Sequence, residues 1–137
     1  MRVEELSIGD WVVVKLTKWD YDSPEETEPM RIRCIDNSDR KRAYADLEFS
    51  SGLYSTSAYI EDLRPIPLTP EILEKNGFVK SDLATVIEWY HWGDAYIGFK
   101  DGLIYTSING REIWGMRYVH QLQHVLRLAG IEKEIEL

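Results

Sequence analysis

The sequence predicts an α+β protein: a small N-terminal SH3-like β-barrel, a short connector helix, then an antiparallel β-meander with one C-terminal α-helix. Three observations carry this. Short runs of branched and aromatic residues, punctuated by turn residues, fill the first 66 positions. Asp101-Gly102 and Asn109-Gly110 each sit between alternating apolar segments, the strongest short-range hairpin signal. Tyr118 to Gly130 holds the longest clean helical period and closes on a glycine. Residues 1–66 are thus expected to form the barrel, and residues 67–137 the connector helix, a four-stranded meander and the C-terminal helix.

In the first part, Leu6-Ser7-Ile8-Gly9-Asp10 reads as a turn feeding a strand from Trp11 to Leu16. Trp19 to Pro29 is a polar loop carrying the carboxylates of Asp20, Asp22, Glu25, Glu26 and Glu28. Met30 to Ile35 alternates arginine with apolar residues, which predicts a half-buried strand with Ile32 and Cys34 on its apolar face. Asn37 to Arg42 is a polar turn, and Ala43–Phe49 and Thr56–Ile60 are further strands. An OB-like barrel is the alternative arrangement of such strands.

The connector helix follows Leu68. Thr69 is its N-cap, Pro70 occupies the first helical position, and Glu71 meets the positive end of the dipole. Leu68 and Leu73 form a hydrophobic staple, Gly77 supplies the left-handed terminus, and Phe78 folds back on Leu73.

With Gly93-Asp94 as a third two-residue loop, strands fall near 84–92, 95–100, 103–108 and 111–116. Counting outward from the turns sets the register. One face collects Tyr90, Ile97, Phe99, Ile104, Ile108 and Ile113 as core. The other places Trp89, Gly98, Tyr105 and Trp114 in one row, with His91 opposite Tyr96 and a dent at Gly98 for a neighbouring ring to cover. That second face is either inter-layer core, beneath Trp11 or Trp19, or an aromatic platform.

In the C-terminal helix, Tyr118, Leu122, Val125, Leu126 and Ala129 are expected inward, and His120, Gln123, His124 and Arg127 outward. Leu122→Ala should then be costly and His120→Ala cheap. The tail Ile131 to Leu137 alternates with period two, as either an edge strand with a glutamate face or a frayed end.

Charge narrows the function. The net charge is −8. Nine basic residues stand against fourteen acidic ones up to Ile66, and seven against ten after it, so both halves are acidic. This argues against a general nucleic-acid binder, which needs Lys and Arg to displace counterions, and against docking on anionic membranes, and no direct sequence-specific nucleic-acid contact is expected. Cys34 is the only cysteine, which excludes an intrachain disulfide and a cysteine zinc cluster. The longest strongly apolar run, Trp11 to Val14, falls far short of the roughly 20 residues of a spanning helix. A cytoplasmic protein is expected.

Each candidate site has a plainer alternative. His120 and His124, four apart, have the spacing of two zinc ligands, but the glutamate that a zinc protease places after the first histidine is here Gln121. A solvated pair is the better reading, with no metal, no cofactor and no catalytic residue assigned. Asp20 and Asp22 resemble the start of a calcium loop that Pro24 interrupts. Cys34 reads as a small buried residue, and Arg40-Lys41-Arg42 as a solvated turn. The row Trp89, Tyr105 and Trp114, with His91 and Tyr96 beside it, is the candidate ligand-binding set, because aromatic faces stack on bases without a sequence code. Exposed rings would also be covered in a homodimer.

Two segments, Ile66-Pro67-Leu68-Thr69-Pro70-Glu71-Ile72-Leu73-Glu74-Lys75-Asn76-Gly77-Phe78 and Tyr118-Val119-His120-Gln121-Leu122-Gln123-His124, resemble small uncharacterised proteins of gut Bacteroidetes and their phages. The similarity extends to the Ile8-Gly9-Asp10 opening and the glycine-terminated closing helix. That family usually carries Asn at the position of His124, which weighs against a metal site. The resemblance implies a phage or mobile-element context and transfers no catalytic residue.

The sequence is therefore read as a non-enzymatic phage or prophage accessory protein that occupies a host protein through an acidic surface, with Asp20, Asp22, Glu25, Glu26 and Glu28 as contact residues. The alternative is a nucleotide-sequestering protein using the aromatic sheet face, and the third reading a metal-dependent hydrolase.

Overall fold

Alternating apolar residues build two antiparallel five-stranded sheets, one in each of two units, Met1–Ile66 and Pro67–Leu137. The computed structural model describes residues 1–15, 28–38, 42–49, 55–82 and 85–137. The fold class is α+β, with strands predominating and one main helix. Among the described residues, no helix is long and apolar enough to cross a membrane.

In the first unit the strands are β1 (Trp11–Val14), β2 (Met30–Asp36), β3 (Tyr44–Phe49), β4 (Ser55–Tyr59) and β5 (Leu63–Pro65), in the order β4-β3-β2-β1-β5. β5 was not legible as a strand, because Arg64 and Pro65 follow a single leucine. It pairs with β1 after the 3-10 turn Ile60–Asp62. β4 and β5 are the two edges, and no pairing among the described residues closes the sheet. Val12, Val14, Met30, Ile32, Ala45, Leu47, Ile60 and Leu63 form its core, and Leu6 joins them. Buried Asp10 accepts from the Ser7 amide at 2.8 Å, and Gly9, at φ +93°, donates to the Ile32 carbonyl at 2.7 Å. The predicted opening turn is thereby stitched to β2.

Cys34 is exposed, against the expectation that it shares the buried face with Ile32. The register shifts between Ile32 and Cys34, so that Ile32 opposes Leu47 whereas Cys34 opposes Asp46. An inserted residue reverses the parity of everything after it. Ile35, opposite Ala45, takes the inward place instead. At the end of β2, Asp36 receives the Ser38 amide and the Tyr44 hydroxyl, at 2.8 and 2.9 Å. Hydrogen bonds from Ser38 and then Tyr44 hold its carboxyl below the ordinary carboxylate range.

The second unit opens with α1 (Pro70–Lys75). Thr69 Oγ1 accepts from the Ile72 amide at 3.3 Å. At the other end Gly77 lies at φ +83°, the Gly77 amide reaches the Glu74 carbonyl at 3.1 Å, and the Phe78 amide reaches the Leu73 carbonyl at 3.0 Å. This is a full Schellman closure. The sheet follows as β6 (Val79–Lys80), β7 (Glu88–Trp92), β8 (Ala95–Lys100), β9 (Leu103–Ile108) and β10 (Arg111–Ile113), each paired with the next. β6, two residues long and exposed, carries no pattern that would announce it.

The meander has the expected register: Tyr90 opposes Ile97, Ile97 opposes Thr106, and Thr106 opposes Ile113. Asp101-Gly102 and Asn109-Gly110 take positive φ at both positions, as tight primed turns require. Tyr90, Ile97 and Ile108 are buried on the inner face. Burial pushes the Tyr90 phenol above its ordinary range, and the charges of Glu74 and Glu88 add to this.

α2 (Val119–Leu128) buries Val119, Leu122 and Leu126, but also His120, only 4% exposed, and Gln123. The outward placement of these two polar residues is corrected. For Gln123 the reason lies beyond the helix, in the tail that runs back to meet it. Gln123 donates Nε2–H to the Lys133 carbonyl at 2.9 Å and accepts the Ile135 amide at 2.7 Å. Asn76 does the same for Glu136, donating at 2.8 Å and accepting at 2.7 Å. Ile135 is completely buried between these fixings, while Glu132, Glu134 and Glu136 stay exposed. The tail is neither a paired edge strand nor a frayed end. Its alternation is that of an extended segment held by two side-chain amides.

Candidate functional site

The outer face of the second sheet carries the aromatic row. Trp89 opposes Gly98, and Gly98 opposes Tyr105. A methyl carbon at Gly98 would stand 2.5 Å from Ile87 Cγ2 and 2.9 Å from Trp89 Cε3. The dent is therefore filled by Trp89 and Ile87, and glycine is what lets the indole lie flat against the sheet.

β10 stops at Ile113, three residues short of the strand end expected at 116. Trp114 would be the partner of Tyr105, but the chain turns away there, with Gly115 at φ +82°. Leu68 then receives the chain, its amide donating to the Arg117 carbonyl at 2.9 Å, beside a bridge between Pro67 and Tyr118. The divergence opens a groove of about 900 Å³ along the vacated edge of β9. Trp89, Tyr105 and Trp114 all line it, with Leu103, Ile113 and Met116 as apolar wall and Glu112 and Arg117 as charged members. Trp114 is 81% exposed. A volume near the upper end of small-ligand sites, mostly apolar with few polar groups, is the anatomy of a binding groove.

The structure divides the five predicted ligand residues. Three come together in the groove. His91 and Tyr96 do not line it, and stack on one another at 5.4 Å with planes 23° apart. Of the predicted partner residues, Glu28 is exposed, and Asp20, Asp22, Glu25 and Glu26 lie outside the described residues.

His120 and His124 sit edge to face at 5.7 Å, and His120 stacks on Tyr118 at 5.9 Å. Among the described residues, no group of three or more His, Cys, Asp and Glu could hold a metal ion. Gln121 has a structural role that the sequence reading missed: its Oε1 accepts the amides of Arg117 and Tyr118, at 2.8 and 3.0 Å, and so caps α2. The signal was present, as glutamine at the third helical position.

Sequence reasoning also missed Thr106. It is among the residues at the groove, but its side chain belongs to the inner row with Ile97 and Ile113, where its buried Oγ1 has no hydrogen-bond partner among the described residues. No protein-family model matches this sequence, and no curated protein and no solved structure matches it either.

Proposed function

We propose that this is a non-enzymatic binding protein whose site is the aromatic groove of the second unit, and that its ligand is the planar base of a nucleotide. The observation that carries the reading is the convergence of Trp89, Tyr105 and Trp114 on one groove, with the Trp114 indole open to solvent. Stacking a base on such rings is worth about 1–3 kcal/mol each. With one Arg and one Glu among the lining residues, the groove has little net charge with which to hold a phosphate chain. A base with at most one phosphate fits better than a triphosphate or a polynucleotide.

The test is a titration with AMP, GMP, CMP and UMP, read by tryptophan fluorescence, beside mass spectrometry of the denatured protein for a co-purifying ligand. Saturable quenching is expected with at least one nucleotide, weakened roughly 5- to 150-fold in Trp114→Ala. Four flat titrations and no co-purifying nucleotide would sink the reading.

A second reading keeps the host-protein role in a phage context. Its support is the tail, which presents Glu132, Glu134 and Glu136 to solvent from a segment fixed by four hydrogen bonds. A basic partner captured by the wild type and lost on reversing those three charges is the expected result. We also read the first unit as an SH3-like barrel, on the support of a last strand that returns to pair with the first. A cytosolic location suits the single exposed thiol of Cys34.

A further inference from the structure

β10 ends before the ladder along β9 is complete. Ile108 and Arg111 flank a two-residue turn with positive φ at both centres, so they form a hydrogen-bonded pair, and Thr106 with Ile113 forms the next. The residue that would face Ile104 in a third such pair is Gly115, and there the chain has left the sheet, at φ +82°. Even-numbered residues of β9 thus turn their N–H and carbonyl toward β10, and odd-numbered ones toward β8. The Asn109 amide agrees with this parity, donating to the Asp94 carbonyl at the start of β8 at 3.0 Å. The Ile104 N–H and carbonyl therefore point into the vacated place, and no backbone pairing among the described residues reaches them. Ile104 is one of the residues that line the groove.

An extended residue of this kind offers a donor beside an acceptor, both aimed the same way. The Watson–Crick edge of every nucleobase is also an acceptor beside a donor: ring nitrogen and amino group in adenine and cytosine, carbonyl and ring N–H in guanine and uracil. A hydrocarbon ring matches neither group. A base paired to Ile104 lies close to the plane of the sheet, as ladder bonds do. Its faces then turn to the side chains on either side of the edge, with Leu103 and Tyr105 on one side and Ile104 on the other. One placement meets both the pairing and the stacking.

We infer that the groove reads its ligand through the Ile104 main chain, which pairs with the Watson–Crick edge of the base in place of the missing strand residue. This rests on the groove being the nucleotide site. A main-chain pair accepts any such edge, so the four bases are ranked by stacking more than by identity. Because the recognition is of the base, a nucleoside binds about as well as its monophosphate.

The experiment titrates the full-length protein, by tryptophan fluorescence, with adenosine, guanosine, cytidine and uridine, and with analogues whose edge donor is methylated. These are adenosine and cytidine dimethylated on the amino group, 1-methylguanosine and 3-methyluridine. Methylation leaves a ring that still stacks and blocks only the edge, so each analogue is expected to bind roughly tenfold more weakly than its parent. Ile104→Pro is the companion variant. Because the Ile104 N–H faces the groove, proline removes that donor and no bond of the β8–β9 ladder. The variant should melt within a few degrees of the wild type and bind the best nucleoside roughly tenfold more weakly. The methylated series needs no variant, so it stands whatever proline does to the strand. If the analogues bind as tightly as their parents, the role given to Ile104 is wrong while the groove remains the site. If light scattering shows a wild-type dimer that Ile104→Pro dissolves, the edge is taken by a second copy of the chain, and the inference is equally overturned. If the wild type binds none of the four nucleosides, the inference falls together with the reading beneath it.

Discussion

The two helices of the second unit end alike and are held differently. α1 and α2 both close in a Schellman motif: Phe78 to Leu73 and Gly77 to Glu74 in the first, Ile131 to Leu126 and Gly130 to Arg127 in the second. α1 is specified by its own neighbours, with a Thr69 cap, Pro70 behind it and Gly77 at the exit. α2 has local end signals too, in Gln121 and Gly130, but the extent of its buried face depends on residues outside it. Its buried face extends beyond the apolar stripe to His120, which packs against Tyr118 and His124, and to Gln123, which the tail meets through backbone groups. A polar residue on a helix is outward-facing only if nothing returns to meet it.

The largest test of this contrast is at the apolar centre of α2. Leu122 is completely buried. Leu122→Ala should lower unfolding free energy by roughly 2–5 kcal/mol, through lost transfer energy and the cavity left behind. Leu128→Ala is the control, since Leu128 is exposed and its truncation should change little. Denaturant unfolding followed by tryptophan fluorescence measures both. Equal effects at the two sites would mean that α2 has been oriented wrongly.

Gln123 sharpens the comparison. Gln123→Ala leaves the Lys133 carbonyl and the Ile135 amide without their partner, at a cost of about 1–3 kcal/mol. The local signature is more telling than the total. Hydrogen exchange at the Ile135 amide should quicken by orders of magnitude, while amides of β8 keep their protection. Unchanged protection at Ile135 would show that the tail is held by packing alone.

What could be read in advance follows the range of the interaction involved. The meander register was legible because two-residue turns and a period of two leave one arrangement, down to Trp89 against Gly98 and His91 against Tyr96. The side of Cys34 was not, because nothing in Met30-Arg31-Ile32-Arg33-Cys34-Ile35 marks the bulge that reverses it. The aromatic row was legible as a row but not as a groove. That depended on β10 ending at Ile113, where Trp114 and Gly115 leave the sheet. Thr106 escaped notice for a simpler reason: threonine is common in strands, and only the missing partner distinguishes it.

The smallest effect tests the local half of the comparison. Thr69 Oγ1 reaches the Ile72 amide at 3.3 Å, a long bond, in a helix of six residues that could not persist alone. Thr69→Ala should cost about 1 kcal/mol, below either change in α2, whereas Thr69→Ser keeps the acceptor and most of the stability. The Schellman closure and buried Leu73 hold the far end in both variants, so the loss should appear as faster amide exchange at Ile72 and not as separation of α1 from its unit. If Thr69→Ala proves as costly as Leu122→Ala, α1 is no self-specified helix, and the cap is part of a longer-range arrangement like the one that holds α2.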